Sequence, residues 1–244
     1  MAASQSFSVL VFSKSAGYRH GSIATGITSL EHLADQTGVF TITASEDASL
    51  FRPSTLSTFR VIILLHTSGN FLADEQLSAL QAFIHSGGGV LAIHGAAAGM
   101  PLSEWYGKLI GAHFDMHPDP EPGSLIVSDA AHPVIASHSP PERWIDEWYN
   151  FTSHPSENSN LRILLRGDTI SFKGGKHGDD HPLAWCQEFE GGRSLYIALG
   201  HFDEAWESEW YVGLVKRGIL WVAGKEKSVQ WPSQYEGAYK KVCD

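Results

Sequence analysis

The sequence predicts a single doubly wound α/β domain whose mostly parallel sheet carries inserted antiparallel strands. Over residues 7–95, short apolar segments alternate with amphipathic segments of helical spacing. This alternation is typical of βαβ units and therefore of a parallel sheet. Residues 125–199 instead contain several short strand-like segments with no helix between them, which indicates antiparallel pairing in that region.

The first half of the chain predicts the parallel part of the sheet and the helices that cover it. Residues 61–65 form an uninterrupted apolar run, as expected for a strand that is buried on both faces. Residues 74–85 carry apolar side chains at helical spacing, with Asp74 as the predicted N-cap. A glycine turn at residues 87–89 leads into a further apolar strand. The other predictions here are strands at residues 7–13 and 39–44 and a helix at residues 22–36.

The second half predicts shorter elements and one long helix. Residues 101–111 can form a helix, whereas residues 113–122 are crowded with His, Asp and Pro and are predicted to form a loop. Residues 205–222 have helical periodicity. Strands are predicted at residues 125–128, 144–151, 161–166, 183–189 and 195–199. Residues 1–224 are therefore predicted to form one domain, and residues 225–244 a C-terminal tail that packs on it as coil.

Composition and charge narrow the class of protein. The 244 residues include 17 Lys and Arg against 27 Asp and Glu, a net charge of −10, and 43% are hydrophobic. That composition is globular, and the acidic balance argues against nucleic acid and anionic membrane surfaces as partners. No apolar run reaches the length of a membrane span, and we expect no signal peptide. Two cysteines make no disulfide framework, so we expect a cytoplasmic protein.

Histidines follow several of the predicted strands. The chain has 13 histidines, of which His20, His66, His94 and His201 come after four separate apolar strands. In an open parallel sheet, ligands bind outside the carboxyl ends of the strands. A neutral imidazole is a common metal ligand and the usual general base. The pattern therefore predicts that these side chains converge on one functional site.

The segment around His94 has the pattern of a tight elbow. An apolar strand runs directly into His94, and small residues follow it. Elbow-type hydrolases and glutamine amidotransferases hold their nucleophile at such a turn, which presents the side chain at the edge of the sheet. Because the position holds histidine rather than serine or cysteine, a thiolate mechanism is not available there. A metal ligand or a general base fits the position, and we expect the ring of His94 at the carboxyl edge of the sheet.

Six motifs occur in an order that matches a known family. They are Gly-Tyr-Arg-His at residues 17–20, Gly-Gly-Gly-Val-Leu-Ala-Ile-His-Gly-Ala at 87–96, Phe-Asp-Met-His-Pro at 114–118, His-Pro-Val-Ile at 132–135, Asp-Glu-Trp-Tyr at 146–149 and Gly-Arg-Ser-Leu-Tyr-Ile-Ala-Leu-Gly-His at 192–201. Over residues 7–224 the chain thereby resembles the ThuA-like family, named for trehalose utilisation. The resemblance implies a flavodoxin-like, class I glutamine amidotransferase-like fold and a role in sugar metabolism. His66 lies outside these motifs.

Strand position and the motifs together select the candidate site residues. Alternation along a strand would direct Glu147 and Tyr149 to the same side, facing the site. We leave open a solvated acid at Glu147, a structural role for His117 and core packing of the tryptophans. The predicted metal ligands are His20, His94, His117, Glu147 and His201; the predicted catalytic residues are His94, Glu147 and His201; the predicted substrate contacts are Tyr18, Tyr149, Trp148 and Trp206.

Two functions from different classes fit these observations. The first is a metal-assisted enzyme, with zinc or a similar divalent ion, that hydrolyses, isomerises or epimerises a neutral sugar or keto-sugar. A cysteine-dependent glutaminase is disfavoured because the elbow lacks cysteine. The alternative is a non-catalytic sugar-binding or regulatory protein of the same fold. We expect a small-molecule carbohydrate as partner, with no nucleic acid and no membrane, and leave a homodimer open.

Overall fold

The structure, a computed structural model, describes residues 6–135 and 139–226. The C-terminal tail predicted from residue 225 lies outside the described residues from residue 227 onward, so its packing on the domain stays a prediction.

The strands and helices of the described residues alternate first and then separate into blocks. The strands are β1 Phe7–Phe12, β2 Phe40–Ser45, β3 Val61–Leu65, β4 Gly89–Ile93, β5 Phe114–Met116, β6 Glu121–Gly123, β7 Leu125–Val127, β8 Trp144–Asp146, β9 Asn150–Phe151, β10 Arg162–Gly167, β11 His181–Phe189 and β12 Gly192–Ile197. The helices are α1 Ile23–Thr37, α2 Pro53–Leu56, α3 Asp74–His85, α4 Glu104–Ile110, α5 Asp203–Glu207 and α6 Glu209–Val222. Among the described residues, no helix combines the length and apolar character needed to cross a bilayer.

One large sheet organises the part of the chain that the structure describes. Its eight strands lie in the order β2-β1-β3-β4-β12-β11-β10-β7. The first five of these strands are parallel, and β11, β10 and β7 continue the sheet in antiparallel pairing. The predicted α/β fold, with a mostly parallel sheet and added antiparallel strands, is confirmed. The carboxyl ends of β1, β3, β4 and β12 consequently meet along one edge.

Helices cover both faces of the sheet, which explains the continuous apolar sequences of its central strands. All residues of β3 and β4 are buried. On β12, the Oγ of Ser194 donates a hydrogen bond to Leu109 O in α4, while the side chain of Leu195 packs near Gly218 in α6. Because successive side chains of a strand point to opposite faces, α4 and α6 lie on opposite sides of the sheet.

Three local predictions were wrong. The predicted loop at residues 113–122 contains β5 and β6, which pair with β9 and β8 from a distant part of the chain. The predicted strand at 144–151 is interrupted after Asp146. The predicted helix at 205–222 is two helices, because Ser208 between them has extended backbone.

The predicted N-cap of α3 was also wrong. Asp74 lies inside the first turn, and the N-cap is Ala73. The backbone N–H of Ala73 donates instead to Oε1 of Gln76, at 2.9 Å. The side chain at the third helical position thus accepts the backbone N–H of the N-cap residue, which is one half of a capping box.

Candidate functional site

Two neighbouring strands end in a histidine with unusual backbone geometry. His66 directly follows β3 with φ +52°, and His94 directly follows β4 with φ +48°. Non-glycine residues rarely adopt this left-handed conformation, which costs about 1–3 kcal/mol. It turns each chain sharply off its strand, and the two rings lie 5.3 Å apart at the carboxyl edge of the sheet. The expected position of His94 at this edge is confirmed.

Four residues from distant segments meet beside this edge. His20 comes from the loop after β1, His94 from the end of β4, Glu147 from the segment between β8 and β9, and His201 from the loop after β12. Each offers one ligand atom, and these four atoms all lie within 4.8 Å of one another. His20, His94 and Glu147 are buried, and His201 is partly exposed. The sequence placed the three histidines after strands and Glu147 within one, and the structure brings the four residues together.

Short contacts link three members of this cluster. Oε2 of Glu147 lies 3.2 Å from Nε2 of His94 and 3.1 Å from Nδ1 of His201. Those two imidazole nitrogens are themselves 3.3 Å apart. Three polar atoms therefore surround one small space.

The other side of the His94 ring decides which nitrogen carries a proton. Nδ1 of His94 lies 2.5 Å from the backbone carbonyl of Ala198, which can only accept, so Nδ1–H is the donor. In the neutral ring, Nε2 then presents its lone pair to the Glu147 carboxylate. Two acceptors at 3.2 Å need a proton or a cation between them. A ligand histidine in proteins is typically held in this way, with its second nitrogen bound to a carbonyl.

The protonation states of Glu147 and His20 favour cation binding. Burial alone would raise the pKa of Glu147, but its contacts with His201 and His94 outweigh burial and hold the pKa well below its usual range. Burial, with the neighbouring His94 and His201, lowers the pKa of His20 to about 3. Burial alone would lower the pKa of His201, but its hydrogen bond to Glu147 and the charge of that carboxylate raise it. At neutral pH, Glu147 is ionised and His20 is a neutral imidazole.

His66 is also part of this site; the strand pattern placed it there, but the sequence assigned it no role as ligand, catalytic residue or substrate contact. Its ring is fully buried and stacks on the ring of His20 at 4.6 Å. Ser22 Oγ donates to the carbonyl of His201 at 2.7 Å, so Nε2–H of His66 donates to Ser22 Oγ at 3.3 Å. The signal was present in the sequence, because His66 follows a strand as His94 does.

Gly95 makes room for His20. A Cβ atom on Gly95 would lie 2.8 Å from Cε1 and 3.1 Å from Nδ1 of the His20 ring. Real Cβ atoms essentially never approach another atom within 3.0 Å. The small residue after the His94 elbow is therefore required for the observed position of His20.

A cavity of about 490 Å³ opens above the cluster. Tyr18, with 68% of its surface exposed, forms part of its wall, and Phe114 and Tyr149 form another part. His117 also lines it, with Nε2 at 3.3 Å from Oε1 of Glu147 and Nδ1–H donating to the carbonyl of Pro118. His117, predicted as a metal ligand, thus lies at the cavity side of Glu147 and outside the group of four.

The two tryptophans predicted to contact substrate lie elsewhere. Trp148 is fully buried, stacks on Phe172 at 4.4 Å and donates from Nε1 to the carbonyl of Glu121. Trp206 is also buried and donates from Nε1 to the carbonyl of Gly200, behind the ring of His66. Neither residue is among those that line the cavity in the described part of the chain. Both side chains pack beneath the site.

Comparison with known proteins finds one family model that matches most of the chain and several solved structures that share its fold. The family model ThuA, described as trehalose utilisation, matches residues 8–222. A ThuA-like protein from Bacteroides uniformis is 24% identical, with a TM-score of 0.74 over 91% of this chain and 93% of that one. A ThuA-like protein from Parabacteroides merdae is 17% identical, with a TM-score of 0.72 over 93% and 94%. A cytoplasmic protein from Salmonella typhimurium is 13% identical, with a TM-score of 0.62 over 88% and 98%. Among curated proteins, none matches the chain.

Proposed function

The chain belongs to the ThuA family, described by trehalose utilisation, and we propose that it is a metal-assisted enzyme that acts on a neutral sugar or keto-sugar. The proposal covers hydrolysis, isomerisation and epimerisation as reaction types. A cytoplasmic location is part of the proposal and is supported by the free, buried thiol of Cys186.

The single observation that carries the metal proposal is the contact between Glu147 and His94. Nδ1–H of His94 donates to the carbonyl of Ala198, so in the neutral ring Nε2 directs a lone pair at an ionised carboxylate 3.2 Å away. A divalent cation bound by both atoms would remove that repulsion. Three imidazoles and one carboxylate are donors that suit zinc and similar ions. We propose His20, His94, Glu147 and His201 as the ligands.

A divalent cation at this position would polarise a substrate carbonyl or hydroxyl, or lower the pKa of a water molecule. The chain's own residues would supply the remaining functions. The exposed ring of Tyr18 and the ring of Phe114 offer apolar surfaces to the faces of a sugar. His117 directs Nε2 to the cavity side of Glu147, where it could hold or accept a proton of the substrate. We propose His117 for proton transfer rather than as a ligand.

The charge of the cavity favours a neutral substrate. Glu147 is the one carboxylate among the described residues that line it, and no lysine or arginine is found there. The nearby Arg19 pairs with Glu46 at 2.6 Å, in an exposed position. Without a basic residue at the cavity, a sugar phosphate would have only the proposed cation to offset its charge. Sugar hydroxyls can use imidazoles and carboxylate oxygens directly.

The proposal is tested by metal analysis and ligand titration. Protein purified without chelator is expected to contain a divalent metal, and His94→Ala is expected to lose it. The matched control is His85→Ala, an exposed histidine that contacts Glu190 away from the cavity. Calorimetry would then compare disaccharides, keto-sugars and sugar phosphates, each with and without added Zn²⁺.

The outcomes separate the two functions. Metal-dependent binding and turnover of a neutral sugar support the enzyme. Sugar binding that is equally strong with and without Zn²⁺, with no turnover, supports the non-catalytic alternative. Equal metal content in wild type and His94→Ala contradicts the metal site, and binding of sugar phosphates alone contradicts the neutral substrate.

A further inference from the structure

We infer that Asp146 is a positioning residue that fixes Glu147 and His201 of the cluster relative to each other. The inference rests on the proposed function for its link to metal binding. Asp146 is fully buried at the end of β8 and is not among the described residues that line the cavity. It acts through its neighbours and has no contact with substrate.

The Asp146 carboxylate accepts four hydrogen bonds from two distant parts of the chain. Oδ1 accepts from the backbone N–H groups of Glu147, at 2.9 Å, and His201, at 3.3 Å. Oδ2 accepts from the backbone N–H of Gly200, at 2.8 Å, and from Nε1–H of Trp144, at 2.9 Å. One carboxylate thus joins the end of β8 to the loop that follows β12.

The same group therefore holds the backbone on both sides of a contact in the cluster. Glu147 and His201 meet through Oε2 and Nδ1 at 3.1 Å. Both residues donate their backbone N–H to the same oxygen of Asp146. If the Asp146 carboxylate is lost, no other hydrogen bond of the described residues joins the backbone of Glu147 to that of Gly200 and His201. The 3.1 Å contact then depends on the side chains alone.

Only a carboxylate satisfies all four donors. Each oxygen of Asp146 faces two N–H groups, and a carboxylate has acceptor sites on both oxygens. An asparagine places an NH₂ donor against two N–H donors, whichever way its amide is turned. The interruption of the strand after Asp146 also follows, since the backbone turns so that Glu147 N–H can reach the carboxylate of the preceding residue.

The test uses Asp146→Asn in the full chain with Co²⁺ as the probe. Visible absorption of Co²⁺ reports the geometry of its ligands, which a general loss of stability does not change. We expect about 10- to 100-fold weaker Co²⁺ binding and altered absorption bands, as is usual when a partner of a metal ligand is removed. The control Gln187→Leu removes other buried hydrogen bonds, which Nε2 of Gln187 donates to the carbonyls of Lys108 and Leu109. It should lower stability and keep wild-type Co²⁺ affinity and bands.

Unchanged affinity and bands in Asp146→Asn would overturn the inference and leave the proposed function intact. If wild type itself binds no Co²⁺, the proposed metal site is contradicted. The inference about Asp146 is then tested by the crystal structure of metal-free Asp146→Asn, in which the distance between Glu147 and His201 is measured. A Glu147–His201 separation beyond hydrogen-bonding distance supports it, and retention of the 3.1 Å contact overturns it. Should Asp146→Asn fail to fold, Trp144→Phe removes one donor only. A measurable weakening of Co²⁺ binding is then expected, and unchanged binding overturns the inference.

Discussion

His66 and His94 hold a backbone conformation that side chains usually avoid. Their φ values of +52° and +48° lie in the left-handed region, at the ends of two adjacent strands. Strain of this kind persists where the surrounding structure over-determines it, and it concentrates at functional sites. Here it places two imidazoles at the edge where His20, Glu147 and His201 also arrive. The left-handed backbone lowers local stability, and it fixes the position of the two rings.

This strain predicts an inverted order of stability for glycine and alanine at His66. Both substitutions remove the ring, but only glycine adopts a positive φ freely. His66→Gly is therefore expected to be more stable than His66→Ala by about 1 kcal/mol, measured by urea unfolding in chelator. The control pair Ser78→Gly and Ser78→Ala, in the exposed middle of α3, should show the opposite order by about 1 kcal/mol. The same order at both positions would contradict the proposed strain.

At the level of residues, the sequence predicted which histidines converge, but its placement of Trp148 and Trp206 at the cavity was wrong. His20, His94 and His201 follow strands, and the parallel fold places strand ends together. Trp148 was expected at the site because it neighbours Glu147, yet its ring stacks on Phe172 from a distant loop. A stacking partner far along the chain leaves no local signal, whereas a strand end does.

The segment between β7 and β8 contains another buried histidine, His132, which lies outside the cluster. Val134 N–H donates to Nδ1 of His132 at 3.3 Å, and Nε2 of His132 lies 3.6 Å from Sγ of Cys186. Burial first, and then the charge of Arg162, lower the pKa of His132 to about 4. At neutral pH the ring of His132 is therefore neutral, and in that form it contacts Val134 and Cys186.

His132 predicts a loss of stability in mild acid. The pKa of the ring is about 4 when folded and about 6.5 when unfolded, so the unfolded chain binds more protons between these values. Its contribution is complete above pH 6.5 and falls as the pH drops below that value, by at most about 2 kcal/mol at pH 5. His132→Asn, which keeps an acceptor for Val134 N–H, should lose less stability than wild type between pH 7.5 and 5 in urea unfolding. Equal losses in the two proteins would contradict this account.

At the level of elements, the sequence predicted those that local residues determine and missed those that depend on partners far along the chain. β3 and α3 begin and end where the apolar run and the helical spacing predicted. β5 and β6 were predicted as loop because their Pro and Asp content is unfavourable for strands, and their partners β9 and β8 lie far along the chain. The break between α5 and α6 at Ser208 contains no glycine or proline, so the sequence did not predict it.

For the whole molecule, the proposed ligands come from residues 20 to 201, and only the folded chain brings them together. Metal should therefore bind the folded state alone and raise the midpoint of thermal unfolding. At a Zn²⁺ concentration of 100 times Kd the stabilisation is about 2.7 kcal/mol. In a domain of this size that corresponds to roughly 5–11 °C.

Scanning calorimetry with Zn²⁺ and with chelator measures this shift. His85→Ala should keep the full shift and His94→Ala should lose it, since only His94 belongs to the cluster. Equal midpoints for wild type in saturating Zn²⁺ and in chelator would contradict a ligand set drawn from the folded chain.

The position of β12 in the sheet has a consequence for synthesis on the ribosome. β12 lies between β4 and β11, yet about 100 residues separate the end of β4 at Ile93 from the start of β12 at Gly192. At roughly 5–20 residues per second, the apolar β4 waits about 5–20 s with one edge unpaired. An open edge of this kind invites pairing with other chains. A nascent chain that stalls before residue 192 leaves this edge open and lacks His201. Closure of the sheet and completion of the cluster are therefore the same late event, and premature termination yields a chain that is both prone to aggregation and without its site.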